Sequence, residues 1–188
     1  MPRSGEAARR RLLQAALDLF AEHGFDQVTV EAIAARAGVT ERTFYRHFSD
    51  KREMFFDGES ELRDVLTRAV AQVPHGTKPL PALRAAFRDS VPLFERNRPV
   101  TERGAHLIDE TPALRERALA KRALLVDALT GALRGRGVDA RTAPLLAQVG
   151  MDTFAAATHR WMQDGSVPLG DHIDLAFREL RLAAAALK

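Results

Sequence analysis

Apolar residues recur three and four positions apart along nearly the whole chain, which is the spacing of one face of an α-helix. In the first such segment, Leu12, Ala16 and Phe20 lie on one stripe of an amphipathic helix. No segment of useful length alternates apolar and polar residues as a strand does, so the pattern predicts an all-α protein. The predicted helices are 4–22, 30–37, 40–47, 50–73, 80–97, 100–109, 112–135, 140–164 and 171–187.

The second and third predicted helices are short and meet at a tight turn built around Gly38. Glycine can adopt the left-handed conformation that ends a helix, and Thr40 is a good N-cap for the helix that follows. That helix turns Phe44 and Phe48 inward. Its outward side chains are Arg42, Thr43, Arg46 and His47. A helix that packs through an apolar face and presents hydrogen-bond donors on the other is what DNA recognition requires.

Proline and glycine divide the chain after the fourth predicted helix. Segment 74–79 contains two prolines and one glycine and is predicted to be a loop. Pro92 falls inside the predicted helix 80–97 and is expected to kink it. The sequence therefore predicts a DNA-binding head at 1–50 and a helical body at 51–188, linked by a long helix that Ser49 or Asp50 caps.

The composition narrows the possible functions. The 188 residues are 46% hydrophobic and include no cysteine, which excludes disulfides and thiol catalysis. No apolar run is long enough for a membrane span, and the N-terminus lacks the apolar core of a signal peptide, so we expect a cytoplasmic protein with no membrane association. The net charge is only +3, with nine basic and seven acidic residues in 1–52. Contact with nucleic acid would therefore use one defined face.

One cluster of basic residues stands out in the first helix. Arg9, Arg10 and Arg11 lie near its start, where positive charge is unfavourable for the helix dipole. This conflict has two interpretations, a contact with phosphate or an ordinary solvated face.

The run from Thr29 to Lys51 resembles the signature of the TetR family of transcriptional regulators. The matching residues are Thr29, Ile33-Ala34, Ala37-Gly38-Val39-Thr40, Thr43 to Phe48 and Lys51. The resemblance implies a three-helix head that contains a helix-turn-helix, joined by a long helix to a ligand-binding and dimerisation body. It also implies base contacts from Arg42 and Thr43, with Arg46 a weaker candidate. Arginine can bond guanine bidentately, and threonine can touch a thymine methyl.

The resemblance implies phosphate contacts as well. Tyr45, His47 and Lys51 match positions that contact phosphate in the family, and each can donate a hydrogen bond to a phosphate oxygen. Thr29 and Thr40 lie at helix N-termini and can add hydroxyl and backbone donors. Loss of Lys51 is therefore expected to weaken binding to all sequences and to flatten its salt dependence.

For the body, the resemblance implies a ligand cavity lined by its middle helices. An apolar cavity with a few polar anchors suits a small hydrophobic or amphipathic effector, and the C-terminal part faintly resembles regulators that recognise acyl-CoA-like ligands. The candidate lining residues are Phe87, Val91, Phe94, His106, Leu107, Leu124, Phe154, Thr158 and Trp161, with Arg98 as a further polar anchor. Each of them, taken alone, is more often an ordinary core residue.

The sequence predicts neither a metal nor a cofactor site. No two body histidines have the i, i+4 spacing of a helical metal pair, and no acidic residue completes a site. His75 and His172 are expected to be exposed, whereas His106 and His159 could face a pocket or lie in the core. No phosphate-cradling glycine loop and no nucleophile–base pair is recognisable, so we expect no enzyme.

Two recognition helices bind a palindromic site far more strongly than one, which favours a dimer. The resemblance implies that the last two long helices form the dimer interface. The predicted function is therefore a ligand-responsive, homodimeric repressor that a small effector releases from a palindromic operator on double-stranded DNA. The alternative is an adaptor of the same fold whose body binds a protein partner. A fully packed body would favour the adaptor, and a cavity would favour the sensor.

Overall fold

The computed structural model describes residues 3–56 and 58–186, and within these ranges every regular element is helical. The prediction of an all-α protein is confirmed. The elements are α1 (Arg3–His23), α2 (Val30–Arg36), α3 (Glu41–His47), a 3₁₀ turn (Glu53–Phe56), α4 (Glu59–Gln72), α5 (Pro79–Asp89), α6 (Val91–Glu110), α7 (Pro112–Gly135), α8 (Thr142–Gln163) and α9 (Leu169–Ala185).

The helices form two compact units. The first unit combines the chain up to residue 57 with 97–120, and the second combines 58–96 with 121–188. The sequence predicted a simpler division at residue 50. The second half of α6 and the first part of α7 belong to the first unit, because their apolar side chains join its core.

The first unit is held by a core of leucine, isoleucine and phenylalanine side chains. Phe20 stacks on Phe55 with ring centroids 5.3 Å apart, and Phe25 lies 5.2 Å from Phe20. Leu114, from α7, is fully buried in the same cluster. The core joins α1, α2 and α3 to one another, and this fixes the helices that carry the candidate DNA contacts.

The second unit has its own core, formed by α4, α5, α7, α8 and α9. Phe87 of α5 stacks on Phe154 of α8 at 4.4 Å, and Phe94 meets the same ring edge-on at 5.1 Å. Gly150 allows α5 and α8 to approach, since a Cβ at this position would lie 2.8 Å from Leu83 Cδ1. The centre of this unit is therefore filled by aromatic and aliphatic side chains.

The fourth predicted helix is interrupted in the structure. The chain forms a 3₁₀ turn at Glu53–Phe56, and α4 begins only at Glu59. Gly58 has φ +95°, a left-handed conformation that no α-helix can contain. The prediction of one continuous helix from the cap at residue 49 or 50 to residue 73 was wrong. Apolar residues keep a helical spacing on both sides of Gly58, so the pattern alone does not show the break.

The helices predicted at 80–97 and 100–109 are divided at a different residue in the structure. The break falls at Ser90, whose Oγ donates to the Phe87 carbonyl at 2.7 Å. Pro92 lies in the first turn of α6, where a missing N–H costs nothing, so it does not kink a helix. Helix α6 then continues through Pro99 to Glu110.

The remaining predicted helices agree with the structure within about three residues at each end, the usual uncertainty of helix boundaries. The predicted end of the last helix, at residue 187, lies outside the described residues. In the described ranges, no helix combines the length and the apolar character that a bilayer crossing demands.

Candidate nucleic-acid interface

The helix-turn-helix is built by two threonine caps and one left-handed glycine. The Thr29 hydroxyl accepts a hydrogen bond from the Ala32 N–H at 3.1 Å and caps α2. The Thr40 hydroxyl accepts from the Thr43 N–H at 3.3 Å and caps α3. Between them, Gly38 has φ +66°. Both threonine hydroxyls are therefore used within the head, and the first turns of α2 and α3 are fixed.

Helix α3 has a buried face and an exposed face. Phe44 is completely buried and Phe48 nearly so, with their ring centroids 5.7 Å apart. Arg42, Tyr45 and Arg46 are exposed on the opposite side, and Tyr45 leaves 56% of its surface accessible. All three side chains can donate hydrogen bonds to phosphates or base edges.

Thr43 and His47 are less accessible than the sequence suggested. Thr43 is half-buried, and its hydroxyl lies 3.2 Å from the Thr40 hydroxyl. His47 is half-buried, and its Nε2 atom is buried without a hydrogen-bond partner. Burial lowers the pKa of His47, and the nearby positive charges of Arg46 and Arg9 lower it further. The imidazole is therefore biased towards its neutral form in the free protein.

Lys51 occupies a position that the sequence did not predict. Its ammonium group donates to the carbonyls of Phe25 at 2.7 Å and Val28 at 2.8 Å, with Asp26 at 3.4 Å. The Nζ atom also lies 4.4 Å from the centroid of the Phe25 ring. The side chain that was expected to contact phosphate thus holds the turn between α1 and α2.

The arginine cluster of α1 lies beside the helix-turn-helix. The Arg9 guanidinium lies 5.4 Å from the centroid of the Phe48 ring, at the end of the recognition helix. An Arg11 nitrogen lies 3.9 Å from the point that a Cβ on Gly38 would occupy. The sequence left two interpretations for these arginines, a contact with phosphate or a solvated face. Helix α1 begins at Arg3, so they lie in its second and third turns rather than at its N-terminus.

The candidate ligand residues of the body do not form one site. Phe87, Val91, Phe94, Phe154 and Trp161 lie in or against the core of the second unit. Thr158 instead uses its hydroxyl within its own helix, donating to the Ala155 carbonyl at 2.9 Å.

Three other candidates lie away from that core. His106 and Leu107 belong to the first unit, and the His106 side chain is 78% exposed beside Glu110. Leu124 is 55% exposed on α7. Both side chains face solvent in the described chain, and their assignment as cavity-lining residues stays a prediction. Arg98 is engaged with Glu102, one turn further along α6.

The second unit does contain an open groove, which we call the α5–α9 groove. It has a volume of about 590 Å³ and an apolar floor of Leu80, Leu146 and Phe177. Its charged residues are Lys78, Arg84, Asp174, Arg178 and Arg181. The carboxylate of Asp174 is bound by Arg88 and lies 3.6 Å from Arg84. No carboxylate in the described ranges pairs with Arg178 or Arg181.

The body histidines are dispersed. His75 is exposed, as predicted, and His159 is also exposed. His172 was expected to be exposed but is buried, because α9 begins at Leu169 and turns this residue inward. Among the residues that the structure describes, no three histidine or carboxylate side chains converge in a way that could hold a metal ion.

Comparison with known families covers most of the chain. Residues 12–57 match the family described as bacterial regulatory proteins, tetR family, and residues 77–185 match the MftR C-terminal domain. The second match alone spans more than half of the chain.

Two curated relatives illustrate this similarity. The transcriptional regulator TcmR of Streptomyces glaucescens is 39% identical over 80 residues, which are 43% of this chain and only 35% of TcmR. MftR of Mycobacterium tuberculosis, named for mycofactocin biosynthesis transcriptional regulation, is 26% identical over 94% of both chains. The similarity to TcmR is therefore higher but covers less than half of this chain, whereas the similarity to MftR is lower and covers nearly all of it.

A solved structure matches both units. SmeT of Stenotrophomonas maltophilia, in its triclosan complex, superposes with a TM-score of 0.65 and 25% identity over 95% of this chain and 91% of SmeT. SmeT itself is described as the repressor of a multidrug efflux pump.

Proposed function

The chain belongs to the TetR family of DNA-binding transcriptional regulators, and from this premise we propose that it is a homodimeric repressor that a small amphipathic effector releases from a palindromic operator. The DNA-binding part of this proposal rests on helix α3, which has one buried face and one exposed face. Buried Phe44 anchors it, and Arg42, Tyr45 and Arg46 project from its free side. The start of this helix, with Arg42 and Thr43, is assigned to base edges.

The proposed dimer forms through α8 and α9 of two copies. Both helices leave leucines exposed, with Leu145 at 63%, Leu182 at 61% and Leu175 at 41%. Large apolar side chains on neighbouring helices are costly to leave in water, and a second copy of the same face would cover them. A two-fold dimer also suits a palindromic operator, because two recognition helices bind together more strongly than one.

The proposed effector site is the α5–α9 groove. Its volume lies within the range of small-molecule sites, and its apolar floor is bordered by the positive charges of Lys78, Arg178 and Arg181. This arrangement fits a molecule with an apolar body and an anionic group, a class that includes acyl-CoA-like ligands. The solved complex of SmeT with triclosan shows that a relative of similar structure binds a small molecule, which supports a small-molecule effector for this chain.

The proposed mechanism has two states. The effector lowers DNA affinity only by binding more tightly to the conformation that cannot hold both operator halves. The coupling is reciprocal, so operator DNA must weaken effector binding by the same factor that effector weakens DNA binding. This reciprocity gives the mechanism a quantitative check.

The test measures operator affinity by fluorescence anisotropy with decanoate, decyltrimethylammonium and acetate at constant ionic strength. Decanoate is expected to weaken operator binding by at least about fivefold, whereas acetate lacks the apolar chain and the cation has the wrong charge. Unchanged operator affinity at decanoate concentrations that calorimetry proves to be saturating would refute induction. Absence of decanoate binding would refute the groove as its site.

Two pairs of charge-removing variants test whether decanoate acts through the α5–α9 groove. Replacing Arg178 and Arg181 with Gln should remove the decanoate effect and leave operator binding intact. The control replaces Arg68 and Arg141, which are exposed in the same unit outside the groove, with Gln, and so removes the same net charge. Equal loss of response in both pairs would mean that overall charge, rather than the groove, controls the effect.

One observation favours a second candidate function, the DNA-bound adaptor. The centre of the second unit is packed by Phe87, Phe94 and Phe154, with centroid separations of 4.4 and 5.1 Å. An adaptor needs no internal cavity and would use the exposed surface for a protein partner. Binding of a protein partner to the operator-bound dimer, with no response to decanoate, would support the adaptor over the sensor.

A further inference from the structure

Lys51 is a half-buried basic residue of the head, and its ammonium group is turned towards the backbone of another segment. The Nζ atom lies 2.7 Å from the Phe25 carbonyl, 2.8 Å from the Val28 carbonyl and 3.4 Å from the Asp26 carbonyl. An ammonium group has three N–H donors. All three therefore find backbone acceptors within a single turn of the chain.

The surroundings of the ammonium strengthen this arrangement. The Phe25 ring centroid lies 4.4 Å from Nζ, within the range of a cation–π interaction. Phe25 and Val28 are both buried in the core of the first unit, so the turn is anchored on its apolar side as well. Burial lowers the pKa of Lys51, and the charge of Asp26 only partly offsets this.

The Phe25 and Val28 carbonyls that Lys51 binds accept no backbone hydrogen bond in the described chain. They belong to the turn between α1 and α2. Buried or half-buried carbonyls without a donor are unfavourable. Lys51 thus replaces the hydrogen bonds that regular secondary structure would otherwise supply.

Lys51 connects the end of α3 to the turn that precedes α2. Lys51 follows the end of α3 at Phe48 by three residues, and the turn that it binds ends at Thr29, the N-cap of α2. The lysine therefore ties the exit of the recognition helix to the entry of the preceding helix.

We propose that Lys51 is a positioning residue, which supports operator recognition by fixing α2 and α3 relative to each other rather than by neutralising a phosphate. This inference rests on the DNA-binding function of the head and is independent of the proposed effector and dimer. It replaces the expectation from the family resemblance that Lys51 contributes a phosphate contact.

The two roles predict different salt dependence. A lost phosphate contact reduces the slope of log affinity against log salt by about one. It also weakens operator and random DNA by the same factor. A positioning residue leaves the slope unchanged and weakens the operator more than random DNA, because misplaced base contacts cost about tenfold or more in specific binding.

The experiment compares wild type with Lys51→Met, Lys51→Gln and Lys51→Arg, on operator and random duplexes, from low to high salt. Met is expected to keep the wild-type slope and to reduce the ratio of operator to random affinity about tenfold. Gln, a neutral donor, should recover part of that ratio. Arg should not recover it fully, because a planar guanidinium cannot direct three donors to three carbonyls as an ammonium does.

Arg46→Met serves as the matched control, because Arg46 is an exposed basic residue of the same head. Its removal should reduce the salt slope and so prove that the assay detects a lost contact. The proposal is overturned if Met reduces the slope as Arg46→Met does, or if Arg restores full binding while Gln behaves like Met. If Met prevents folding, as monitored by circular dichroism, the Gln and Arg variants alone decide between the two roles.

Discussion

The side chains on and around α3 differ in how accessible they are to DNA. Arg42 is exposed at the start of the recognition helix, whereas Thr43 is half-buried and bonded to the N-cap region. Of the two side chains proposed to contact base edges, Arg42 is therefore the stronger candidate. Of the three side chains that the family resemblance assigned to phosphate, Tyr45 is exposed, whereas His47 and Lys51 are half-buried.

Replacing Arg42 with Ala is expected to change base preference rather than overall affinity alone. An arginine that bonds guanine bidentately contributes roughly 1–3 kcal/mol of discrimination against the wrong base. Affinities for operators with single base substitutions would locate the position at which discrimination disappears. A uniform loss at every position would instead assign Arg42 to the backbone.

The pKa of His47 predicts how pH affects the stability of the head. Burial places the pKa of His47 below its ordinary value of 6.5, so the folded state disfavours the proton. The unfolded chain takes up that proton more readily as the pH falls through 6.5, and stability is lost in that direction. Urea unfolding at pH 7.5, 6.5 and 5.5 should give a smaller decline for His47→Gln than for wild type. Parallel declines would contradict this account.

The sequence predicted the local features of the head at this scale and missed the long-range ones. Thr40 and Gly38 were predictable because capping and left-handed φ are local properties. The contact of Lys51 with Phe25 and Val28 joins residues 26 and 23 positions apart, and no periodicity encodes it. The burial of His47 likewise depends on how α1 packs against α3.

At the scale of elements, breaks in the helices were harder to predict than the helices. Helices α7, α8 and α9 follow from glycine and proline signals at their ends. The proline at 92 was misinterpreted, because a proline in the first turn of a helix and one in its middle look alike in sequence. Ser90, a residue without a strong breaking tendency, is where the chain actually changes helix.

Gly58 provides a test of the break before α4. At φ +95° an alanine is strained, so Gly58→Ala should destabilise the protein by roughly 1–2 kcal/mol. Gly131→Ala is the control. Gly131 lies inside α7, has nothing near its virtual Cβ, and should gain about 0.5–1 kcal/mol. Chemical unfolding measures both changes, and a neutral or stabilising Gly58→Ala would mean that the left-handed turn is not required.

At the scale of the whole molecule, the family and the fold class were predictable from one motif and a helical pattern. The distribution of candidate ligand residues was not. Leu124 and Phe154 are both apolar residues at helical spacing, so the sequence pattern does not distinguish them. Tertiary packing determines that Leu124 is exposed and Phe154 is buried. The α5–α9 groove combines residues from three distant segments, so no local pattern could reveal it.

A single charged substitution on α9 tests the proposed dimer interface. Leu175→Glu places a carboxylate on the exposed face of α9 and is expected to shift the protein towards monomer in sedimentation velocity experiments. The same change at Leu119, which is 69% exposed in the other unit, should leave the dimer unaffected. Dissociation by both variants, or by neither, would argue against α8 and α9 as the interface.

The most direct test of the account is selection of bound sequences from random duplex DNA by the purified protein at moderate salt. A dimer that reads DNA through two copies of α3 should enrich an inverted repeat, with half-sites separated by about one helical turn. Arg42→Ala should lose the preference at one position in each half-site. Recovery of no common sequence, with only salt-sensitive general binding, would contradict the claim that the chain is a sequence-specific regulator.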